Sequence, residues 1–574
     1  MLAVFGVISC CALAPAAAAQ DYRPRTFFVD GVRGHDSAPG TSVRWPWRTI
    51  SRVNLGTYRP GDRILFLGGQ THEGSLVLTA ENASGTAEEP ILVSSYGDSR
   101  ATVASGARPG LLVRNAAGVR VADINFEGSA ATASDGAGIH FTNDSRPAKA
   151  PIWVDHVEVR GYSVGVLIAA QLPGSYDGVW VTAVETHDNL VSGLTVAGTG
   201  TADPAAYALT TVYLGRVHAY HNRGDNVVAE GSRNASGSGI KVAGVDRGLI
   251  EWCVAHDNGG NNPAAGAEKA GGAFAISVAG RGIEVKANEA YRQRAHSSNR
   301  TDGGGFFLQA TKSLFQYNYS HDNDGPGLLV AAFGGPPPAP ESKDQEPGPR
   351  DGNYVRYNVS ENDGLQTGEG SLRLIGALEG VSIFNNTIFA RRPAETPAPV
   401  VAIEAGSNPA LSGRGLHFYN NLFLAEGVGP LLRVKAPSRS ADMQFEHNAY
   451  VDPAGLYRVE WGEEVFNDVL AWMAVARVEI LGRAYVQPAG VPLPVRNAGS
   501  GGVAYPESTA KLKAYRLIEG SPLIDAGVNL RGAHGARDFF GDPLPTPEAG
   551  KFDIGAHEFS RETAAALSAT PSAR

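Results

Sequence analysis

Two basic residues stand in otherwise apolar segments of the central region and are the first candidates for chemistry: Lys241 and Arg373. A lysine whose pKa is lowered by burial or by neighbouring cations can remove a proton at neutral pH. Arg373, or Lys269 as an alternative, could then neutralise a carboxylate of the substrate. This combination requires a fold that places the cations on one face.

Acidic, histidine and aromatic residues extend the candidate set. Asp302 and Glu268, with Asp324 as an alternative partner, could provide a pair of carboxylates. Asp257 and Asp324 also offer oxygen ligands that would suit Ca²⁺, although nothing in the residues requires a cofactor. The remaining candidates, for contact with a substrate, are Phe307, Gln309, His256 and His321.

A repeat of about 30–40 residues positions these candidates. Its turns carry His187-Asp188-Asn189, His256-Asp257-Asn258 and His321-Asp322-Asn323, and each is followed by a short apolar run. Alternating apolar residues bounded by Gly, Asn and Asp are typical of strands and turns. About three short strands fit in each unit, which predicts an all-β, single-stranded right-handed parallel β-helix. The Asn and His of the turns are then expected to stack in ladders, which is the structural alternative to a binding role.

Composition agrees with a solenoid and excludes some partners. The chain has 574 residues, of which 71 are Gly, and a formal net charge of −9. Its basic residues are scattered, so no nucleic-acid partner is indicated. No apolar stretch is long enough for a stable membrane span. The protein is expected to be a monomer. If the N-terminus is cleaved, Cys253 is the one cysteine left, which excludes an internal disulfide.

The termini predict a processing signal and two caps. Residues 1–19 resemble a signal peptide ending at Ala17-Ala18-Ala19, which predicts a secreted or periplasmic protein, with lipidation at Cys10 as the alternative. Beyond it we expect an N-terminal cap and first strands (20–89), the β-helix (90–455) with a Pro-rich loop at 333–350, a C-terminal cap (456–560) and a disordered tail (561–574). Short helices are expected within 45–55 and 465–475.

Three segments resemble the secreted bacterial right-handed parallel β-helix proteins of the pectin-lyase-like superfamily. They are the opening Phe28-Val29-Asp30-Gly31, the central Asp302-Gly303-Gly304-Gly305-Phe306 and the closing Asp553-Ile554-Gly555-Ala556-His557-Glu558. The resemblance covers most of residues 26–560 and implies a polysaccharide partner. The superfamily includes polysaccharide lyases, glycoside hydrolases, uronate epimerases and proteins of no known activity, so the resemblance does not fix the reaction.

Alternation along the strands predicts which candidates share a face. With Ile240 and Val242 pointing inward, the expected outward row is His140, Leu167, Thr195, Lys241, Ala275, Phe307, Gln309, Leu329 and Arg373. Such a row would line a groove for an extended chain, where Phe307 could stack under a sugar ring. The turn residues would rim this groove: His256, Asp257, Glu268, Lys269, Asp302, His321, Asp322 and Asp324.

Two enzymatic schemes follow for a polysaccharide. In a lyase, Lys241 would remove a proton beside a uronate carboxylate that Arg373 or Lys269 neutralises, and the resemblance implies that such a base is sometimes assisted by calcium. In a hydrolase, Asp302 with Glu268 or Asp324 would flank the glycosidic bond. The lyase is slightly favoured, because the outward cations are better placed than any carboxylate pair.

One departure from the family pattern supports a non-enzymatic function as an alternative. Related chains often carry carboxylates after the triple glycine, where this chain has Phe307 and Gln309. A non-catalytic glycan-binding protein is therefore an alternative. The sequence predicts a secreted carbohydrate-active enzyme that cleaves a uronate-containing polysaccharide, with a glycoside hydrolase and the binding protein as alternatives.

Overall fold

The chain winds through three stacks of strands in turn, and two of these stacks join into one 27-stranded sheet through the long strands at Ser238–Glu251 and Phe274–Lys286. This architecture comes from a computed structural model. It describes residues 22–129, 136–199, 207–224, 237–260, 274–295, 303–332, 352–364, 366–392, 398–405, 413–427, 429–435, 437, 440–441, 443–479, 483–505, 509, 512–530, 533–545 and 550–560. We number the strands in chain order and call the three stacks the first, second and third sheets, in the order in which a coil visits them.

The first sheet opens each coil. Its strands are β1 (Thr26–Val29), β2 (Arg63–Leu67), β5 (Ile91–Tyr96), β8 (Val119–Ala122), β11 (Ile152–Asp155), β14 (Val179–Thr182), β17 (Leu209–Gly215), the second halves of β19 (Ser238–Glu251) and β21 (Phe274–Lys286), β24 (Leu314–Gln316), β27 (Asn353–Arg356), β30 (Glu379–Phe384), β33 (Gly413–Tyr419), β36 (Ser440–Ala441) and β37 (Gln444–Glu446).

The second sheet contains 14 strands. They are β3 (Thr71–Glu73), β6 (Ala101–Gly106), β9 (Ile124–Gly128), β12 (Glu158–Arg160), β15 (Glu185–His187), β18 (His218–Tyr220), β20 (Val254–His256), β22 (Glu289–Tyr291), β25 (Tyr319–His321), β28 (Val359–Glu361), β31 (Thr387–Arg392), β34 (Leu422–Gly427), β38 (Ala449–Val451) and β41 (Tyr485–Val486).

The third sheet closes each coil. Its strands are β4 (Leu76–Thr79), β7 (Leu111–Arg114), β10 (Ala137–Asn143), β13 (Val164–Ala170), β16 (Ser192–Gly198), the first halves of β19 and β21, β23 (Gly304–Thr311), β26 (Leu328–Ala332), β29 (Leu372–Gly376), β32 (Val401–Ala405), β35 (Leu432–Val434), β39 (Val459–Trp461) and β40 (Glu464–Phe466). All these pairings are parallel except β39 with β40. The all-β parallel helix predicted from the repeat is therefore confirmed, while its right-handedness stays a prediction.

Inward-facing aliphatic residues of the three sheets form one core along the coil axis. Ile240 and Val242 are buried and pair with the buried Ile276 and Val278 of the next coil. Because each coil covers only its neighbours, stability is expected to be distributed along the solenoid. Cys253 is part of this core, as predicted, and burial raises the pKa of its thiol to about 12.

Two short helices cover the ends of the core, within the segments predicted to be helical. Helix α1 (Ile50–Asn54) has Thr49 as its N-cap and buries Ile50 and Val53 at the first coils. Helix α2 (Val469–Ala476) buries Trp472 against the aromatic residues of the last coils. Within the described ranges, neither helix has the length and apolar character that crossing a membrane would require.

Asparagine ladders occupy the corners between sheets. The ladder of Asn189, Asn222 and Asn258, between the second and third sheets, is the one that the repeat predicted. At the corner between the first and second sheets, the side-chain amide nitrogens of Asn318, Asn358, Asn386 and Asn421 each donate to the side-chain oxygen of the next member, at 2.9–3.1 Å. The same residues donate to main-chain carbonyls of the preceding coil. These buried amides therefore satisfy turn groups that no sheet can pair.

Replacement of Asn358 by alanine is expected to lower the free energy of unfolding by about 3 kcal/mol. The alanine would leave the Asn318 main-chain N–H and the Phe315 carbonyl without their partner. Chemical denaturation of both proteins gives the difference. Asn497→Ala, at an exposed site, is the control and is expected to change stability by less than about 0.5 kcal/mol.

The C-terminal segment packs on the outer face of the second sheet. Its residues Val495, Tyr515, Leu523 and Ile554 share an apolar cluster with Phe389 and neighbouring strand residues. The closing motif is anchored by hydrogen bonds from Gly555 N to Asn420 O and from Ala556 N to Thr387 Oγ1. Gly555 has φ 103°, and a Cβ there would lie 3.0 Å from Thr387 Oγ1, so this position needs glycine. The C-terminal segment therefore covers the outer face of the second sheet at β31 and β34.

Candidate active site

The outer face of the third sheet carries the row predicted from strand alternation. Register places the outward residues in the order His140, Leu167, Thr195, Lys241, Ser277, Phe307, Leu329 and Arg373. Gln309 lies two residues beyond Phe307 and is exposed. The prediction for Ala275 is wrong, because Ile276 pairs with Ile240 rather than with Val242. Ala275 is fully buried in the inward core cluster beside Ile276, and Ser277 takes its place in the row.

Lys241 and Arg373 lie on the same face but far apart. Four strand steps separate them, which corresponds to about 19 Å along the coil axis. Arg373 is turned towards β32, on the side away from Lys241. The predicted division of labour, in which Lys241 removes a proton beside a carboxylate held by Arg373, does not fit this arrangement. Lys241 is nevertheless partly buried, and burial lowers its pKa, as a base requires.

Arg373 lies at the centre of a charged cluster. Its Nη2 lies 2.9 Å from Glu369 Oε2 and 3.2 Å from Glu404 Oε2. Lys435 Nζ lies 2.9 Å from the other oxygen of Glu404. Arg373 is 7% exposed, and among the described residues its Nε and Nη1 have no hydrogen-bond partner. The Arg373 guanidinium is therefore bound by protein carboxylates through Nη2, and its other two donor nitrogens are buried.

The two carboxylates meet at one guanidinium nitrogen, so their Oε2 atoms are at most about 6 Å apart. A glycoside hydrolase that retains anomeric configuration holds its carboxyl groups about 5–5.5 Å apart, and an inverting enzyme about 6.5–9.5 Å. Glu369 lies in the turn before β29 and Glu404 on β32. The turn before β29 and strand β32 thus bring two carboxylates to a separation that is compatible with glycoside hydrolysis.

Electrostatics distinguishes Glu404 as a carboxylate that stays ionised. Burial alone would raise its pKa, but the charge of Arg373 and the hydrogen bond and charge of Lys435 outweigh it, so the pKa of Glu404 is lowered. A permanently ionised carboxylate can act as a nucleophile or as a base. Arg373 also holds Glu404 in place, which limits its rotamers.

An apolar patch lies beside the charged cluster. Phe274, Leu329 and Ala331 are buried, and Phe307 and Ile375 pack on them. The Phe274 and Phe307 rings are 5.1 Å apart and nearly parallel. Leu329 pairs in register with Arg373, so the patch and the cluster adjoin. Apolar surface next to charged groups is typical of sites that orient a ligand.

Three predicted site residues, Glu268, Lys269 and Asp302, lie outside the described residues.

His256 and His321 belong to a ring ladder on the second sheet rather than to the outward row. His187, Tyr220, His256, Tyr291 and His321 stack on successive coils, with centroids 4.6–5.3 Å apart. His321 is buried between Glu289 and Asp322, at 3.2 and 2.9 Å. Burial opposes its charge, but these carboxylates raise its pKa to about 9. The structural ladder interpretation of these histidines is thus the one that the contacts favour.

The predicted calcium ligands are already paired. Asp257 accepts hydrogen bonds from Arg292 and lies 2.7 Å from the His256 ring, and Asp324 accepts from Arg294 at 3.1 Å and from Ala295 N. The two aspartates also stand two coils apart. Calcium binding there stays a prediction, and these contacts do not favour it.

Another group in the described ranges has the composition of a metal site: Asp538, Asp542 and His557. Arg516 Nη1 lies 2.7 Å from Asp542 Oδ2 and 3.1 Å from His557 Nε2. The Arg516 guanidinium thus occupies the position in which a metal ion would lie. The group anchors the C-terminal segment, because Asp538 accepts from the main-chain N–H groups of Phe540, Asp542 and Glu558.

The carboxylates Glu369 and Glu404 were not among the residues singled out in the sequence. A signal for Glu404 was present, since alternation in Val401-Ala402-Ile403-Glu404 places it outward, one coil after Arg373. Glu369 follows no strand pattern, because it lies in a turn. Its proximity to Arg373, four residues on, becomes visible only in the folded chain.

The sequence is similar to that of a lacto-N-biosidase of Bifidobacterium longum subsp. longum, with 22% identity over 628 aligned positions. The alignment covers 93% of this chain and 36% of the relative, so the chain spans about a third of that relative's length. No protein-family model matches the chain.

Solved structures of β-helix enzymes are also similar to the chain. The GH136 lacto-N-biosidase from Eubacterium ramulus is 17% identical with a TM-score of 0.47, covering 66% of this chain and 65% of that one. Pectate lyase Pel9A is 14% identical with a TM-score of 0.33, covering 94% and 97%. At these identities the likeness concerns the fold and leaves the reaction open. The predicted resemblance to the pectin-lyase-like proteins agrees with the parallel β-solenoid of this chain.

Proposed function

We propose that the chain is a carbohydrate-active enzyme, a glycoside hydrolase that uses Glu369 and Glu404 on the outer face of the third sheet. The observation that carries the proposal is the contact of both carboxylates with one nitrogen of Arg373. The similarity to a lacto-N-biosidase supports it, because that relative is a glycosidase. Secretion, predicted from residues 1–19, would suit a glycan outside the cell and stays a prediction.

The lowered pKa of Glu404 suits it to the role of nucleophile, and in this scheme Glu369 is the acid. Glu404 attacks the anomeric carbon while the bond from that carbon to the leaving oxygen breaks, and Glu369 in its acid form gives its proton to that oxygen. Water then attacks the glycosyl-enzyme, Glu369 takes a proton from the water, and Glu404 leaves as a carboxylate.

A panel of glycans tests the proposal. The full chain is incubated with lacto-N-biose-containing oligosaccharides, neutral polysaccharides and uronate polymers, and new reducing ends are measured together with the ultraviolet absorbance of unsaturated uronates. The proposal expects reducing ends without that absorbance. Both signals together would establish a lyase, and binding without either product would establish the non-catalytic alternative.

A lyase is the second candidate, and one observation favours it: Lys241 lies on the outward row with a pKa lowered by burial. Lys241→Met, which keeps much of the apolar stem, separates the two candidates. If the enzyme is a hydrolase at Glu404, the variant is expected to keep turnover within about threefold of the parent. A loss of about a hundredfold or more would mark Lys241 as the base and overturn the hydrolase proposal.

A further inference from the structure

Three aromatic side chains form a row on the outer face of the first sheet, separate from the candidate active site on the third. Trp153, Trp180 and Tyr213 pair in register on β11, β14 and β17. Each is partly exposed. On other coils the same row is mixed: Leu92, Arg120, Leu249, Glu284, Leu314, Tyr354 and Ser382. Adjacent aromatic residues are thus concentrated on three consecutive coils.

Glycines beside two of these residues let the rings lie along the sheet. A Cβ at Gly178 would lie 2.3 Å from two atoms of the Trp180 indole. A Cβ at Gly215 would lie 2.6 Å from the Tyr213 hydroxyl oxygen and 2.8 Å from its Cζ. The Trp180 ring therefore lies over Gly178, just before β14, and the Tyr213 ring lies over Gly215, at the end of β17. The Trp153 and Trp180 planes differ by only 16°, with centroids 5.8 Å apart, so these two indoles continue one surface.

A row of polar side chains runs beside the rings, two residues further along each strand. Asp155 accepts a hydrogen bond from Thr182 and lies 3.3 Å from Arg120 Nη2. Glu251 accepts from the Tyr213 hydroxyl at 3.0 Å and lies 3.3 Å from Lys286 Nζ. The charges next to the rings are paired with one another, so this surface suits a neutral ligand better than an anion.

We infer that Trp153, Trp180 and Tyr213 form a non-catalytic binding surface for a neutral, extended glycan. The C–H face of a pyranose ring packs on an aromatic ring, and its equatorial hydroxyls can reach hydrogen-bonding groups at the rim. The two indoles follow one another along the coil axis, so an extended chain can cover both, and the Tyr213 hydroxyl lies at the rim beside Glu251. This binding surface shares no residue with the candidate active site on the third sheet. The inference therefore does not depend on which reaction that site performs.

The double variant Trp153→Ala/Trp180→Ala tests this surface in the full chain. Affinity is measured by gel retardation in soluble β-glucan, xylan and galactomannan, with polygalacturonate and alginate as anionic probes. The parent is expected to be retarded by at least one neutral polymer, and the double variant to lose about tenfold or more in affinity. Turnover of a short soluble substrate is expected to be unchanged, which separates this inference from the proposed hydrolase.

Trp45→Ala is the matched control, because Trp45 is 59% exposed at the other end of the chain's fold. Thermal unfolding shows whether the double variant is folded. A second measurement needs no variant: the neutral polymer is expected to protect tryptophan fluorescence of the parent from acrylamide. Unchanged affinity in the folded double variant, retardation by anionic polymers alone, or absence of retardation and protection with every neutral polymer would each overturn the inference.

Discussion

Glu404→Gln is expected to reduce turnover by about a thousandfold or more while substrate binding changes little. The amide keeps the size of the side chain but cannot attack the anomeric carbon or carry the negative charge that Arg373 and Lys435 stabilise. Glu369→Gln should reduce turnover strongly for substrates with a poor leaving group, and less when the leaving group needs no proton. Initial rates on two substrates that differ in their leaving group check both expectations.

The control for Glu404 is Glu426→Gln. Glu426 also pairs with an arginine, Arg391, at 2.8 Å, but on the second sheet. Its loss is expected to change turnover by less than about twofold, since surface ion pairs contribute little. Glu404→Gln with the turnover of the parent enzyme would contradict the assignment of the site, provided that thermal unfolding shows both proteins folded.

Asp363→Asn is expected to stabilise the protein at pH 8 by up to about 4 kcal/mol and to leave its stability nearly unchanged below pH about 4. Asp363 ends the ladder between the second and third sheets, where Asn323 donates to its Oδ1 at 2.8 Å and Ser360 to its Oδ2 at 2.7 Å. Burial raises the pKa of this carboxyl to about 7, although these hydrogen bonds oppose the rise.

The sign of this change in stability follows from proton binding by Asp363. Between pH about 4 and pH about 7 the folded carboxyl keeps a proton that the unfolded one has released, so stability falls as the pH rises through this window. Asparagine has no such titration and can donate to the Ser360 hydroxyl. Denaturation at several pH values measures the difference between the two proteins, with exposed Glu463→Gln as the control. A difference that does not grow between pH 4 and 7 would contradict the buried, protonated state of Asp363.

The sequence predicted the fold well because the repeat is local. Strand alternation and the asparagine turns recur along the coils, so the inward positions of Ile240 and Val242 and the ladder that contains Asn258 follow from neighbouring residues. The error at Ala275 arose at β21, which is longer than the apolar motif that marked it. The consecutive residues Ala275 and Ile276 both belong to the inward core, so strict alternation fails at the start of this strand and the pattern alone could not reveal it.

The candidate site was predicted only in part, because it depends on distances between coils. Alternation placed Arg373 on the correct face, and one coil later it also places Glu404 there. The sequence does not show that Arg373 turns towards Glu369 and Glu404 rather than towards Lys241. Likewise, the sequence does not show that the C-terminal segment packs over the second sheet, on which His321 lies.

Covalent trapping of the nucleophile tests the account most directly. A fluorinated glycoside with a good leaving group forms a slowly hydrolysed glycosyl-enzyme in a retaining hydrolase, and peptide mass spectrometry locates the labelled residue. Our account predicts one label on Glu404 and loss of labelling in Glu404→Gln. A label on another residue, or steady turnover of a natural glycan with inversion and no label, would contradict it.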